Sequence, residues 1–325
     1  MDISLYGLAR QTYENFEVVF VDARYHLRHA AVLDLAGRVG LKQPLYHVPN
    51  HRDHPRATPW IAICAGYNTG FALAAGEIII MLVDYGYVPP DWIEAHLRWH
   101  AAGRFDGQRR LVFFPVLYMD MPELAPRGEA PLVVFDDPAA PVATPENIIA
   151  QRARFDEISA FRSEFHPDML KGLRIPGDND PRFNRSIYTS GVQTFWLTHT
   201  KNDSFPREAI FRVNGMDERY DRGRGPGDSE LGFRLSRAGC QPWLMRNTGV
   251  VQCPNPRWVM PNPNFAIPVG NRLPPPHDGR WSYVEGATVF RADMDAGRGR
   301  ADNPISLEAL RESIWKWRAL SLQRD

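Results

Sequence analysis

Two short apolar runs, each followed by an aspartate, constrain the fold of this 325-residue chain most strongly. Residues 16–21 (FEVVFV) are followed by Asp22, and residues 78–83 (IIIMLV) are followed by Asp84. Such runs are typical of strands buried on both faces of a parallel sheet. The segments between them have helical spacing, so strands alternate with helices. The pattern predicts an open α/β sheet, in which ligands bind at the carboxyl ends of the strands.

The remaining periodicities predict further strands and helices. We expect strands at 44–48, 111–118 and 190–197, and helices at 3–11, 29–39, 60–75, 89–102, 206–213, 229–238 and 306–322.

The distribution of proline divides the chain. Residues 1–253 are expected to form one domain, with 120–184 as a variable insertion of helices and loops over the sheet. From residue 254 prolines crowd together, which excludes regular elements and favours an extended segment on the surface. Residues 254–325 are therefore expected to be a proline-rich extension that ends in a docking helix.

Composition excludes several classes of protein. The 38 basic and 38 acidic residues cancel, so no net field attracts nucleic acid or an anionic membrane. Only four of the basic residues are lysines, a bias that fits a GC-rich genome or, less simply, phosphate recognition. Three scattered cysteines are too few for a disulfide framework or a zinc knuckle. We find no signal peptide or membrane span, and expect a cytoplasmic protein. P-loop, dinucleotide and serine hydrolase motifs are not present.

Three segments together resemble the family-2 glycosyltransferases of the GT-A fold. They are QTYENFEVVFVDA at 11–23, YNTGFALAAGEIIIMLVDYGYVPPDWIEAH at 67–96 and VNGMDERYDRGRGPGDSELGFRLSRAG at 213–239. The resemblance covers most of residues 3–250. It implies a Rossmann-like, mostly parallel sheet flanked by helices, and an enzyme that uses a nucleotide-sugar donor, most simply a UDP-sugar.

The resemblance also implies roles on the donor side. Asp22 matches the residue that contacts the nucleotide base, and Asp84 matches one member of the acidic pair that holds the sugar-nucleotide and a metal ion. Asn68 matches a helix-start position that helps close the pocket, although an Asn that satisfies a turn is an equal alternative. Tyr85 either stacks on the base or sugar or packs under a loop.

On the acceptor side, Asp228 matches the carboxylate that accepts the proton of the attacking hydroxyl in an inverting transfer. Glu230 is expected to cap a helix or contact the acceptor. Trp196 lies where the family places acceptor-side residues, or is a core residue. Arg224 is expected to bind diphosphate or an anionic acceptor, or to remain solvated.

Departures from the family pattern concern the metal. The acidic pair appears here as Asp84-Tyr85-Gly86, so the second carboxylate is missing, and the usual Glu before Asp228 is Gly227. Mg²⁺ or Mn²⁺ bound to a diphosphate usually needs one or two carboxylates. Either Asp84 serves with help from His277, or arginines replace the ion in neutralising the diphosphate.

A third departure concerns the first strand. Family members begin with a central strand about 20–25 residues before the QTY segment, whereas this sequence begins within the first helix. A gap at that place leaves two rows of unpaired backbone groups. Three alternatives follow: residues 281–290 (WSYVEGATVF) fill the gap, a partner chain fills it, or the sheet is rearranged.

We therefore expect a glycosyltransferase that acts with inversion. One alternative is a non-catalytic carbohydrate- or nucleotide-sugar-binding scaffold with a degenerate metal site. Another is the same chemistry on a modified base in nucleic acid, which predicts steeply salt-dependent binding. The sugar, the acceptor and the oligomeric state, including a homo-oligomer, stay open.

Overall fold

The computed structural model describes residues 2–23, 25–52, 62–84, 86–105, 107, 109–113, 116–118, 187–188, 202–222, 226–244, 250–252 and 283–320. The helices are α1 (Asp2–Leu8), α2 (Tyr25–Val39), α3 (Ile63–Leu73), α4 (Trp92–Phe105), α5 (Arg207–Arg212), α6 (Gly227–Arg237), α7 (Tyr283–Asp295), α8 (Leu307–Ile314) and α9 (Trp317–Leu320), with a 3₁₀ helix at Glu218–Arg222. Within these ranges no helix combines the length and apolar character that crossing a membrane requires.

The strands are β1 (Val18–Asp22), β2 (Leu45–Pro49), β3 (Ile78–Ile80), β4 (Gly86–Tyr87), β5 (Arg109–Phe113), β6 (Val116–Tyr118), β7 (Ile187–Tyr188), β8 (Asp203–Pro206), β9 (Cys240–Leu244) and β10 (Val250–Gln252).

The described strands pair in three groups, which lie among the helices. β1 and β2 form a parallel pair, with Val18 opposite Leu45. Five strands have the order β3-β8-β5-β9-β7, and three have the order β4-β10-β6. The α/β class and the flanking helices are as predicted.

The predicted mostly parallel sheet is wrong in detail, because the sheets are mixed. Three of the described pairings are parallel and four are antiparallel. The main cause is β8, which lies between β3 and β5 and runs antiparallel to both. Its residues, DSFP, are too few and too polar to have a strand pattern, so β8 was not predictable from local periodicity.

A groove of about 1770 Å³ separates β1 from β3. Residues 17–23 form one wall and residues 77–84 the other, and none of the described strands lies between them. The expectation that 281–290 fills this space is wrong, because residues 283–295 form α7. Phe290 of that helix is buried and packs edge-on against Phe233 of α6, with ring centroids 6.2 Å apart.

The residues predicted to form the C-terminal helix, 306–322, contain two helices, α8 and α9. Leu307, Leu310 and Ile314 of α8 are all buried in the main core. Arg311 on the same helix donates hydrogen bonds to the carbonyl oxygens of Ala72 and Ala74 at the end of α3. Residues 253–282, which hold most of the predicted proline-rich extension, lie outside the described part of the chain.

Two buried histidines connect α4 to β8. His96 Nδ1 lies 2.7 Å from Ser204 Oγ, and His100 Nε2 lies 2.8 Å from the same oxygen. The indole of Trp92 donates to Asn202 Oδ1. Burial, together with the charge of His100, lowers the pKa of His96 well below its usual value; burial and two nearby arginines lower that of His100 to about 3. Both imidazoles are therefore neutral in the fold, as core histidines rather than ligands.

This network predicts acid-sensitive stability. Below pH 6.5 these histidines bind protons in the unfolded chain, whereas the buried imidazoles of the folded chain do not. The free energy of unfolding therefore falls as pH falls. The expected loss is about 1.4 kcal/mol per pH unit for each histidine. Urea unfolding at pH 7 and pH 5 checks this, because His100→Gln should reduce the pH slope by about one proton and the exposed His26→Gln should not. An unchanged slope in His100→Gln would refute the assignment.

Candidate active site

The two strand-end aspartates line the same groove, at the end where β1 and β3 finish. Asp84 is exposed, four residues beyond the end of β3. The carboxylate of Asp22 is fully buried and is bound by Arg28 and by His47 Nε2, the latter at 3.2 Å. The first and second acidic segments of the sequence therefore both contribute to the lining of one groove.

His47 belongs to a cluster of rings behind Asp22. Its Nδ1 lies 3.0 Å from Nδ1 of His29, and its ring stacks on Phe20 with centroids 5.0 Å apart. Tyr25 also contacts His47, at 5.0 Å between centroids. Because neighbours hold His47 on several sides, the orientation of the Asp22 carboxylate is fixed.

Asn68 does not occupy the pocket-closing position that was one of its two expected roles. Asn68 lies in the middle of α3, is 1% exposed and does not line the groove. Its Nδ2 donates to Met216 O at 2.9 Å and to Glu218 at 3.0 Å, and its Oδ1 accepts from Met216 N at 2.7 Å. Asn68 therefore fixes α3 to the loop after α5.

The hydrogen bonds from Asn68 to Met216 and Glu218 are called the clamp below. Gly215 lies against Asn68 and should not tolerate a side chain. Its φ is +69°, and a Cβ would fall 2.2 Å from Asn68 Oδ1. We expect Gly215→Ala to reduce the free energy of unfolding by about 3 kcal/mol, from backbone strain and displaced hydrogen bonds. In contrast, Gly37→Ala in α2, with no atom within 4 Å, should increase it by about 0.5–1 kcal/mol. Urea unfolding compares the two, and equal effects would contradict the clamp.

Asp221 caps the first turn of α3, which sequence reasoning missed. Its carboxylate accepts from the backbone N–H of Cys64 at 2.6 Å and of Ala65 at 3.0 Å. The helix has no side-chain cap of its own, since Ala62 occupies the N-cap position. The partners are more than 150 positions apart, so no local pattern connects them.

Asp228 lies in the first turn of α6 and is partly exposed. Its Oδ1 accepts from the backbone N–H of Ser229 at 2.9 Å. The preceding Gly227 packs on the start of α3, where a Cβ would fall 3.2 Å from Cys64 Sγ. Residues 62 and 63, next to this contact, line the groove. Asp228 itself is not among the residues that line the groove.

Glu230 was expected to cap the helix or to contact the acceptor, and the structure instead pairs it with Arg234 in the interior. It is 1% exposed and forms a two-pronged ion pair with Arg234, whose Nη2 lies 2.6 Å from Oε2. Arg234 also donates to the carbonyl oxygens of Val213 and Gly215, both at 2.7 Å. Burial raises the pKa of Glu230, and the charge of Arg234 opposes that rise. Glu230 and Arg234 stabilise the interior beneath α6.

The described residues do not fit the expected Mg²⁺ or Mn²⁺ site. The position of the missing second carboxylate, Gly86, is buried, and a Cβ there would lie 2.8 Å from Val250 Cγ1. Within the described ranges, no three His, Cys, Asp or Glu side chains are grouped so that they would hold an ion. Among the described residues, Asp84 therefore has no group of partner ligands with which to hold an ion.

Four predicted site residues lie outside the described part of the chain. They are Tyr85, Trp196, Arg224 and His277.

A scan against protein-family models gives no match, and neither does a search of curated protein sequences. Among solved structures, the chain is similar to TarS 1-349 of S. aureus, with a TM-score of 0.50 and 10% identity over 99% of this chain and 68% of that chain. TarS 1-349 in complex with UDP gives a TM-score of 0.46 and 9% identity over 76% and 54%. GalNAc-T7 with UDP, GalNAc and Mn²⁺ gives 0.44 and 14% over 98% and 53%.

The chain spans about half the length of the latter two structures. The likeness to TarS 1-349 extends over nearly the whole chain and confirms the predicted GT-A-like α/β fold.

Proposed function

We propose that the chain is a glycosyltransferase that moves a sugar from a nucleotide-sugar donor to an acceptor hydroxyl. The observation that carries this proposal is the shared groove of Asp22 and Asp84, at the strand ends where α/β sheets bind ligands. A UDP-sugar is the donor that the sequence resemblance implies.

In this scheme Asp22 holds the nucleotide base. Because the Asp22 carboxylate is buried against Arg28 and His47, this contact requires the base to displace one of its present partners. Asp84 binds the ribose or the diphosphate. Arg28 lines the same groove and supplies positive charge at the rim where the leaving diphosphate gains negative charge.

Asp228 is the general base of the proposed reaction. The acceptor oxygen attacks the anomeric carbon, the bond from that carbon to the diphosphate oxygen breaks, and Asp228 takes the hydroxyl proton. Attack from the face opposite the leaving group inverts the configuration. The packing of the preceding Gly227 on the start of α3, whose residues 62 and 63 line the groove, supports this role.

A non-catalytic nucleotide-sugar-binding scaffold is the second candidate. Gly86 in place of a carboxylate favours it, and so does the existing engagement of Asp22 by Arg28 and His47. Both candidates bind donor, and only the first consumes it.

A thermal-shift screen across UDP-, GDP-, CMP- and dTDP-sugars, with and without Mg²⁺ or Mn²⁺, tests the proposal. A ligand that binds the native state raises the melting temperature. We expect one nucleotide class to raise it and the nucleoside diphosphate to be released on incubation with acceptor. A shift without release supports the scaffold, and no shift with any nucleotide refutes both candidates.

A further inference from the structure

A second cavity, of about 690 Å³, lies at the opposite end of the sheet from the Asp22–Asp84 rim. It opens where β3 and β5 begin and β8 ends, with Ile78 opposite Pro206 in the strand register. Ile78 begins β3, whereas Asp84 lies four residues beyond the end of that strand. The cavity adjoins the groove through the shared residues Glu77, Ile78, His100 and Arg104, and Asp22 and Asp84 are not part of its lining.

Positive charge dominates its lining. Two carboxylates, Glu77 and Glu208, are outnumbered by five guanidinium groups, which leaves a formal excess of three positive charges. The guanidinium groups are those of Arg104, Arg109, Arg110, Arg207 and Arg311.

Two of these arginines are held by hydrogen bonds to backbone carbonyl oxygens. Arg207 Nη1 donates to Ala75 O at 3.0 Å, and Arg311 Nη1 donates to Ala72 O and Ala74 O at 2.9 and 2.8 Å. Each guanidinium has five N–H donors, and these contacts use one nitrogen of each. The carbonyls at the end of α3 thus fix the two arginines and leave further donors for a ligand.

Within the described ranges, two other arginines pair with exposed carboxylates. Arg109 Nε lies 2.8 Å from Glu208, whose side chain is 62% exposed, and Arg104 pairs with Glu77, which is 76% exposed. Exposed ion pairs of this kind contribute about 0–1 kcal/mol. A multivalent anion is therefore able to replace the two glutamates.

The titration of neighbouring groups agrees with a positive potential in the cavity. After burial, the charges of Arg110 and Arg104 are the causes that lower the pKa of His100 to about 3. Burial and the charges of Arg207 and Arg318 lower the pKa of Arg311.

We propose that this cavity is a binding site for a phosphoryl anion with two or more negative charges. Guanidinium groups suit this ligand class because they form paired hydrogen bonds to two phosphate oxygens. The site is distinct from the Asp22–Asp84 rim, since neither aspartate lines it.

Titration calorimetry with inorganic diphosphate tests the inference. Arg104→Gln/Arg109→Gln should weaken binding at least tenfold, whereas Glu208→Gln should strengthen it about threefold by releasing Arg109. The matched control, Arg38→Gln/Arg300→Gln, removes the same charge from two ion pairs elsewhere, those with Asp34 and Glu308, and should change the affinity less than twofold.

Three results would overturn the inference. The first is the absence of saturable diphosphate binding to the folded wild type, and the second is equal weakening of binding in both double variants. The third is loss of diphosphate binding in Asp84→Asn together with unchanged binding in Arg104→Gln/Arg109→Gln. The last result would place the anion at the donor rim instead, so failure of this inference is distinguishable from failure of the proposed transferase function.

Discussion

Replacing Asp228 by Asn should lower kcat for glycosyl transfer about 10³-fold, within the range typical of lost general-base catalysis. The amide has the same shape and can still accept the hydrogen bond from the backbone of Ser229. Donor binding and the free energy of unfolding should therefore change little. Steady-state release of nucleoside diphosphate, with calorimetry of donor binding, separates the two effects.

The control for this prediction is Asp34→Asn, which removes an exposed carboxylate paired with Arg38 on α2. It should retain wild-type kcat. Wild-type turnover in Asp228→Asn, or an equal loss in the two variants, would exclude Asp228 as the base.

Glu230→Gln should be the most destabilising of these substitutions, at about 3–5 kcal/mol. The change leaves the guanidinium of Arg234, which is 0% exposed, without its compensating charge. Glu230 lies two residues beyond Asp228 on α6. Activity should therefore also fall, in proportion to the fraction of the protein that is unfolded. Urea unfolding measures the loss of stability directly.

Glu308→Gln provides the comparison for Glu230→Gln. It breaks an ion pair with Arg300 in which both side chains are about half exposed, and should cost less than about 0.5 kcal/mol. If the two substitutions cost the same, the buried pair does not have the structural role assigned to it.

Local patterns predicted the elements that position the proposed donor site. The FEVVFV and IIIMLV runs became β1 and β3 because strand burial depends on consecutive apolar residues, which a sequence displays directly. In the structure β1 and β3 lie in separate sheets, but the predicted placement of Asp22 and Asp84 at strand ends put both where α/β sheets bind ligands. The groove that both line agrees with this.

Contacts between distant residues were not predictable in the same way. Asn68 looked like a pocket residue, but its partners Met216 and Glu218 come about 150 positions later. The Asp221 cap on α3 depends on a comparable separation. Glu230 was expected to cap a helix or contact the acceptor, because acidic residues favour first helical turns. In the structure it forms a buried ion pair with Arg234, four positions later.

A crystal structure of the protein with the nucleotide that shifts its melting temperature most tests the central claim directly. We expect the base within hydrogen-bond distance of Asp22 and the ribose or diphosphate beside Asp84, with Asp228 facing the sugar. A nucleotide bound to the folded protein away from this groove, including in the arginine-lined cavity, would contradict it.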